Sequence, residues 1–526
     1  MNQRIQWKRI LSAPAMGVSL TFAFAPYGYA YAAFPALMFL YRSWTVCSLG
    51  QAAFLAYLFG LGFFGTGIWW VYISMHDFGG ADPMSACLLT LLLVGVWALF
   101  PAMTALFGAK AVRSAAVWAR ISCAALTWVT VEYIRGYWLL NGFPWLQIAY
   151  SQLETPLAGY APLFGVYGVG FLLAASAFTL AELLSAKLPV KQAVVFLLLC
   201  SGMGGILKTV AWTRISGPPV KITLIQGNIS QEQKWLPEQK MQSLDIYRTL
   251  TEQNWRDTQV IIWPESAIPA FYEEVKPFYL TPLTAEAIRH NVDLVVSLPS
   301  SGAGMDYFNS VLVLGARESF YHKSHLLPFG EYLPLQPLSG WILDSLQIPL
   351  GSFTAGAEQQ TLLTAGGYAF VTTICYEDAF GELVSRQIAD AAYIVNVTND
   401  AWFGHSSEAY QHMQMAQMRA LENGRYLARA TNTGITGFIA PDGSILKQAP
   451  MFTRTALTET IMPMTGVTPY AQLGDSGVFA ILLVSVLGVR QFNFRRKQID
   501  PIKYYTAEQS SLSARPHPVR ANRRSH

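Results

Sequence analysis

The chain consists of long apolar runs on both sides of a central stretch of ordinary polarity. Up to about residue 210 the apolar runs follow one another with short polar breaks, and one more run precedes a basic tail. A helix needs about 20 apolar residues to cross a bilayer. The pattern predicts about eight membrane spans, near residues 11–26, 28–41, 51–74, 86–108, 121–138, 162–184, 192–210 and 474–490.

The positions of the apolar runs divide the chain into four predicted parts. These are a membrane domain at 1–215, a water-facing domain at 216–472, a last transmembrane helix at 473–492, and a basic tail at 493–526 that we expect to be disordered. The first two spans are short, so a re-entrant hairpin is an alternative. A signal peptide is another, since basic residues precede the first run, but apolar runs continue directly after it.

The water-facing domain alternates strand-like and helical segments. Runs rich in β-branched residues predict strands, and helical patterns lie between them. The predicted strands are 221–229, 258–264, 292–298, 307–314, 369–375 and 392–397. A hairpin is predicted around Pro441, Asp442 and Gly443, which supply turn chemistry. This domain is therefore expected to be α/β, with strands dominating.

Composition agrees with a membrane protein. The chain is 52% hydrophobic and only 13% charged, whereas soluble domains carry about 25% charged residues. Basic residues mark the ends of the runs, and basic loops stay in the cytoplasm. Arg42, Lys110, Arg120 and Lys187 follow an even number of predicted crossings, so the water-facing domain is expected on the far side of the membrane. No basic stripe with interleaved aromatics occurs, which argues against nucleic acid as a partner.

Ionisable residues are rare within the predicted spans. Glu132 and Arg135 lie one helical turn apart in the fifth. A mutual ion pair is the favoured interpretation, with lipid-phosphate binding as the alternative, because intramembrane charges usually find partners.

Cys375 is the candidate nucleophile. It ends a predicted strand, and carboxylates follow at Glu377 and Asp378, which indicates a polar rim rather than a core. Glu265 and Lys323 also follow predicted strands. A thiol nucleophile needs a base, and the intermediate it creates needs a fixed positive donor. Glu265 and Lys323 could supply these two functions, although without the motifs around them a solvated salt bridge is the favoured interpretation.

The motifs WPES, YHKSHLLPFGEYLP and ICYED, in that order, resemble the Glu, Lys and Cys motifs of the nitrilase superfamily. The domain's place between the seventh and eighth spans narrows the resemblance to the apolipoprotein N-acyltransferase family. QGNISQEQKW, NGFPWLQ and NVTNDAWFG extend it over nearly the whole chain. It implies an α-β-β-α sandwich in the periplasm, carried by a multi-pass protein of a Gram-negative-type inner membrane.

The resemblance also implies roles for individual residues. Cys375 would take the sn-1 acyl chain of a membrane phospholipid as a thioester and pass it to the α-amine of an S-diacylglyceryl cysteine apolipoprotein. Glu265 would be the general base, and Lys323 would stabilise the oxyanion. Glu331 would support the site, with Tyr376 and Glu377 beside the nucleophile. Trp235 matches a tryptophan that lines the path of the substrate, but core packing is an equally good interpretation.

Other activities fit less well. No cofactor or metal is predicted, and His290, His322, His325, His405 and His412 lack zinc-type spacing, so they are interpreted as surface or packing residues. A membrane-tethered amidase would use the same three residues with water as the acceptor. A transporter would not explain the three residues.

The arm at 330–350 is unusually apolar for a water-facing segment and carries Trp341. A helix buried on the sheet is one interpretation. A mobile lid that dips into the outer leaflet is the other, with Gly330 and Gly340 as hinges and Trp341 touching substrate.

Overall fold

The structure is a computed structural model that describes residues 7–112, 116–302, 304, 306–315, 318–334 and 353–513, with side chains as far as Gln491. Helices lie at all eight positions where spans are predicted. They are α1 (Trp7–Thr21), α2 (Ala33–Val46), α3 (Leu49–Gly67) with the short α4 (Val71–Ile73), α5 (Pro83–Val112), α6 (Val117–Tyr137), α7 (Ala161–Leu184), α8 (Val190–Leu207) and the final helix, which begins at Pro469.

Five of these helices, within the described residues, are long and apolar enough to cross a membrane: Leu49–Gly67, Pro83–Lys110, Pro156–Leu184, Val190–Leu207 and Pro469–Gln491. The predicted count of about eight is therefore not confirmed. Helices α1 and α2 have 15 and 14 residues, short of a full crossing. Helix α6 has 21 residues but carries Arg120, Glu132 and Arg135, which lower its hydropathy.

Two six-stranded sheets form the centre of the remaining domain. The strands are β1 (Arg214–Ile215), β2 (Val220–Gln226), β3 (Val260–Ile262), β4 (Asp293–Ser301), β5 (Tyr307–Leu314), β6 (Ser319–His322), β7 (Leu363–Ala365), β8 (Tyr368–Ile374), β9 (Tyr393–Thr398), β10 (Leu427–Thr431), β11 (Gly437–Ile439), β12 (Ile445–Gln448), β13 (Thr455–Ile461) and β14 (Met464–Thr465). The first sheet has the order β13-β2-β3-β4-β5-β6, and the second has the order β12-β11-β10-β9-β8-β7. Strands β1 and β14 form a separate two-stranded antiparallel sheet. The predicted strands are confirmed, as is the hairpin, which β11 and β12 form.

Helices cover the outer face of each sheet. They are α9 (Gln231–Lys234), α10 (Lys240–Glu252), α11 (Tyr272–Val275), α12 (Thr281–His290), α13 (Gly381–Ser385) and α14 (Glu408–Asn423). Residues such as Ile222 and Val395 fill the space between the sheets, because alternate strand positions point to opposite faces. Leu244 of α10 packs on the first sheet, and Met413 of α14 packs on the second. The layers are helix, sheet, sheet, helix.

The second sheet's helical layer is joined to the membrane helices. One continuous apolar core contains membrane-helix residues such as Phe178 together with Tyr376, Phe380 and Met418 of the sheet domain. The two parts therefore pack as one structure at the end of β8, where the candidate nucleophile lies.

The last helix, α15, runs from Pro469 to Ser513, with a break in helical geometry at Gly474. Residues 493–513 are thus helical where the sequence predicts disorder. An apolar segment has already nucleated this helix, and adding residues to an existing helix costs far less than starting one.

Candidate active site

Glu265 lies just after β3, at the carboxyl end of the strand, and is 8% exposed. Its Oε1 accepts a hydrogen bond from Asn309 Nδ2 of β5 at 2.8 Å. Its backbone carbonyl accepts one from Lys234 Nζ at 3.1 Å. Burial lowers the pKa of Lys234 to about 8, against the opposing charge of Glu265. The Glu265 side chain is therefore fixed by the neighbouring strand and its backbone by a buried lysine.

Lys323 follows β6 and is almost completely buried. Its Nζ lies 2.8 Å from Glu331 Oε2 and 3.9 Å from Glu265 Oε1. Burial acts to lower the pKa of this amine, but the carboxylates of Glu331 and Glu265 raise it above its ordinary value. Lys323 is therefore a permanent cation between two anions.

Cys375 begins a tight turn, Cys375–Ala379, directly after β8. Its φ of 51° is left-handed, which is unusual for a residue with a Cβ. Desolvation raises the pKa of the Cys375 thiol to about 12; the charge of Glu265 adds to this shift, and that of Lys323 opposes it. At this pKa the thiol is neutral near pH 7, and the charges of Glu265 and Lys323 both act on it electrostatically.

Glu331 and Glu377 have different surroundings. Glu331 accepts hydrogen bonds from Lys323 Nζ, from Asn309 Nδ2 at 3.2 Å and from the Leu327 amide at 2.8 Å. Glu377 is fully buried and accepts from the amides of Ser324, His325 and Ile374 at 2.7, 3.1 and 2.8 Å. Glu331 holds the lysine, whereas Glu377 joins the segment after the lysine to the strand that ends in the cysteine.

Tyr376 turns toward the membrane helices. Its hydroxyl donates to the carbonyl of Gly142 at 2.8 Å, and its ring stacks on Trp145 at 6.5 Å. The same loop reaches the lysine segment, because Asn141 Nδ2 donates to the Leu326 carbonyl at 3.1 Å and the Asn141 carbonyl lies 2.8 Å from His325 Nε2. Residues 138–147, called the junction loop below, therefore contact both sides of the site.

Glu132 and Arg135 hold this loop in place. Arg135 Nη1 donates to the carbonyls of Phe143 and Trp145 at 2.9 and 2.6 Å, and Glu132 Oε1 accepts from the Ile148 amide at 3.0 Å. Glu132 and Arg135 also attract each other electrostatically, as the predicted pair implies, although the direct hydrogen bonds given above go to backbone groups. A buried loop exposes polar backbone groups that need partners, and these two side chains supply them.

Of the two tryptophans predicted to contact substrate, the structure describes only Trp235. Trp235 follows α9 and is 49% exposed, so it is not a core residue. Trp341 and the rest of 335–352 lie outside the described residues, so the two interpretations of the arm stay predictions.

Sequence reasoning missed several residues of the site. Asn309 lies in none of the quoted motifs, and Lys234 lies within QGNISQEQKW but was assigned no role. His412, interpreted from the sequence as a surface or packing residue, is instead 1% exposed and surrounded by carboxylates beneath Cys375. Its spacing of four from Glu408 on one helix was the available signal.

This histidine belongs to a group that could in principle hold a metal ion. Asp400, Glu408 and His412 place one possible ligand atom each within 4.8 Å of one another. However, Arg429 Nη2 already lies 3.1 Å from Asp400, and both ring nitrogens of His412 face carboxylate oxygens at 2.8 and 3.0 Å. The arrangement fits an ion-pair network better than a metal site.

The chain matches two known sequence families. The apolipoprotein N-acyltransferase N-terminal domain matches residues 16–179, and the carbon-nitrogen hydrolase family matches residues 221–470. Among solved structures, a CN-hydrolase superfamily protein from Xanthomonas campestris aligns with a TM-score of 0.36 at 18% identity, covering 47% of this chain and 91% of the other.

Full-length relatives extend these matches. An apolipoprotein N-acyltransferase from Methylococcus capsulatus is 49% identical over 89% of this chain and 93% of its own length. One from Nitrosomonas europaea is 40% identical over 93% of this chain and 99% of its own, and one from Pseudomonas syringae is 38% identical over 88% and 93%. Identity at this level over both halves shows that the chain belongs to the apolipoprotein N-acyltransferase family.

Proposed function

We propose that this protein transfers the sn-1 acyl chain of a membrane phospholipid, through a thioester on Cys375, to the N-terminal α-amine of an S-diacylglyceryl cysteine apolipoprotein. One observation carries the proposal beyond family membership. The turn that begins at Cys375 lies between the buried ions Glu265, Lys323 and Glu331 and the junction loop of the membrane helices. A lipid ester in the bilayer can therefore meet a thiol that has a base and a cation beside it.

In the first half of the reaction, Glu265 takes the proton of the Cys375 thiol as the sulfur attacks the ester carbonyl. The negative charge that develops on the carbonyl oxygen is stabilised by the Lys323 ammonium, whose charge Glu331 and Glu265 maintain. The carbon–oxygen bond to glycerol then breaks. Glu265 returns its proton to that oxygen, leaving an acyl thioester and a lysophospholipid.

In the second half, the α-amine attacks the thioester carbonyl and Lys323 again stabilises the oxyanion. The carbon–sulfur bond breaks, Glu265 accepts a proton from the new nitrogen, and the proton returns to the sulfur as the thiol is restored. The apolar core shared with the membrane helices limits water near the thioester. The half-exposed Trp235 and the arm that contains Trp341 are proposed to line the path of the substrates.

The proposed topology has eight crossings, with domains at 1–215, 216–472, 473–492 and 493–526 as the sequence predicts. At one end of the bundle, Arg120 pairs with Glu182 at 3.0 Å, and Arg42 donates to Ser185. The junction loop and Cys375 lie beyond the opposite end of α6, which begins near Arg120. This separation supports a cytoplasmic basic end and a periplasmic catalytic domain in an inner membrane.

The function is tested with purified protein reconstituted with phospholipid and a diacylglyceryl peptide. Mass spectrometry should show one acyl chain on Cys375 with phospholipid alone, removable by neutral hydroxylamine. Adding the peptide should then move that chain to the peptide's amine. Cys375→Ala should show neither product, and acylation that persists in this variant would disprove the assignment of the nucleophile.

The same experiment addresses the alternative of a membrane-tethered amidase. If water is the acceptor, free fatty acid will accumulate while the peptide stays unmodified. Membrane orientation is tested separately, by labelling single cysteines in spheroplasts with an impermeant thiol reagent. Positions in the catalytic domain should react, whereas a position near Arg113 should not.

A further inference from the structure

A buried ion cluster lies directly beneath the nucleophile and has no part in the chemistry described above. It consists of His412 and Glu408 of α14, Asp378 of the turn, Asp400 after β9 and Arg429 of β10, all at most 3% exposed. His412 Nε2 lies 2.8 Å from Asp378 Oδ1, and His412 Nδ1 lies 3.0 Å from Asp400 Oδ1 and 3.4 Å from Glu408 Oε1. Arg429 bridges the remaining oxygens of Asp378 and Asp400 at 3.1 Å each.

The geometry determines the charge of the imidazole. Carboxylate oxygens accept hydrogen bonds, so each ring nitrogen of His412 must carry a hydrogen, which makes the ring a cation. Burial and Arg429 act to lower the pKa of His412, but Asp378 and Asp400 outweigh them and raise it well above its ordinary value. Trp145 of the junction loop covers the ring at 5.5 Å and adds no charge.

This cation touches the nucleophile's own backbone. His412 Nε2 lies 3.3 Å from the Cys375 carbonyl oxygen, and Asn396 Nδ2 lies 3.5 Å from the same oxygen. Asn396 is held in turn by Arg429 Nη1 at 2.5 Å. Cys375 has a left-handed φ of 51°, a conformation that costs free energy for a residue with a Cβ and persists only when its surroundings enforce it.

We propose that His412 is a positioning residue for Cys375: it holds the carbonyl of the nucleophile and the carboxylate of Asp378, three residues further along the turn, and its positive charge favours the thiolate. The expected effect of His412 on acyl transfer rests on the proposed function, whereas its expected effect on the reactivity of the Cys375 thiol does not. His412 thus acts from beneath the turn, whereas Lys323 acts from the side of the substrate.

The test uses the full-length protein and two readouts. The first is the pH dependence of Cys375 alkylation by iodoacetamide, measured by mass spectrometry of the cysteine-containing peptide. His412→Gln keeps a donor but removes the charge, so the alkylation curve should move up by about one pH unit, a tenfold lower rate at a given pH. His412→Lys, which restores a charge, should move it back. His290→Gln, a histidine that stacks on Trp255 far from the cluster, should leave the curve unchanged.

The second readout is acylation of Cys375 by phospholipid, in which His412→Gln should lower the rate about 30-fold at unchanged KM. An unshifted alkylation curve in a folded His412→Gln variant would overturn the proposal. If the His412→Gln variant does not fold, Asn396→Ala removes the second donor to the Cys375 carbonyl. Alkylation and acylation of Cys375 at wild-type rates in Asn396→Ala would then contradict the proposal that donors to this carbonyl position the thiol. A shifted curve in a protein whose wild type takes no acyl chain from phospholipid would refute the proposed function alone.

Discussion

The two sheets of the catalytic domain contribute different parts of the site and have different surroundings. The first sheet supplies Glu265, Asn309 and Lys323, and the second supplies Cys375 and the ion cluster beneath it. Helix α14, on the second sheet, buries 14 of its 16 residues, whereas α12, on the first, buries 2 of its 10. Helix α14 packs between its sheet and the membrane helices, so its polar residues must find partners inside the protein.

In the proposed mechanism, the groups that hold Cys375 in place are therefore different from the groups that activate it. The turn of Cys375 is held by the membrane part through Tyr376 and the shared apolar core. Glu265 and Lys323 are held mainly within their own sheet, and the contacts of Asn141 with Leu326 and His325 join the lysine segment to the membrane part. Substitutions on the two sides should therefore have different consequences.

Replacing Lys323 should have the largest effect. Lys323→Met removes the cation between Glu331 and Glu265 and leaves two buried carboxylates, which costs about 3–5 kcal/mol of folding stability. Loss of the oxyanion donor should also slow acylation of Cys375 by about 10³-fold or more. Lys240→Met is the matched control, because its pair with Glu274 is partly exposed and worth less than about 1 kcal/mol. Similar losses in both variants would show that the burial of Lys323 has no special role.

Replacing Glu377 should uncouple the two sheets. Glu377→Gln substitutes an amide donor for one of two oxygens that accept from Ser324, His325 and Ile374, so about 2–3 kcal/mol of stability should be lost. Acylation should fall about 100-fold, since the lysine segment and the cysteine turn lose their common anchor. Thermal unfolding and single-turnover acylation measure the two effects. Glu252→Gln, which breaks only an exposed pair within α10, should change neither.

The pH dependence of Cys375 alkylation measures the electrostatic contribution of the first sheet. The thiol's pKa is raised to about 12 by desolvation and by Glu265, so below that pH the reactive thiolate is the minor form. The alkylation rate should therefore rise about tenfold per pH unit between pH 8 and pH 10. Glu265→Gln removes the anion, so its curve should lie at lower pH although acyl transfer is lost. A flat profile in the wild type would mean that the thiol is already ionised.

The smallest effects are expected at the junction loop. Tyr376→Phe removes one hydrogen bond, to Gly142, at a cost of about 1 kcal/mol, and should slow acylation about fivefold. Asn141→Ala removes the bond to Leu326 on the lysine side and should slow it only about twofold. Tyr368→Phe, whose hydroxyl makes only a 3.5 Å contact, is the control. If Asn141→Ala slows acylation more than Tyr376→Phe does, the membrane part holds the lysine segment more strongly than the cysteine turn, contrary to the comparison above.

The sequence by itself determined the strands, the apolar helices and the positions of Glu265, Lys323 and Cys375. These features are written in local patterns: β-branched runs fix strands, and short motifs mark their ends, where side chains emerge at one edge of the sheet. The number of helices that cross the membrane does not follow from the local pattern, because α1 and α2 are short and α6 owes its low hydropathy to residues whose partners lie elsewhere in the fold.

Only the tertiary structure decided how the site is supported. His412, Asp378, Asp400 and Arg429 come from four separate elements and form one ion cluster, which no local sequence pattern records. Arg135 and Glu132 lie one helical turn apart, but their hydrogen bonds go to the backbone of the junction loop and of Ile148, the residue that follows it. A buried charge is stabilised by whichever partners the fold brings within hydrogen-bond distance, and in this protein most of those partners lie on other elements of the fold.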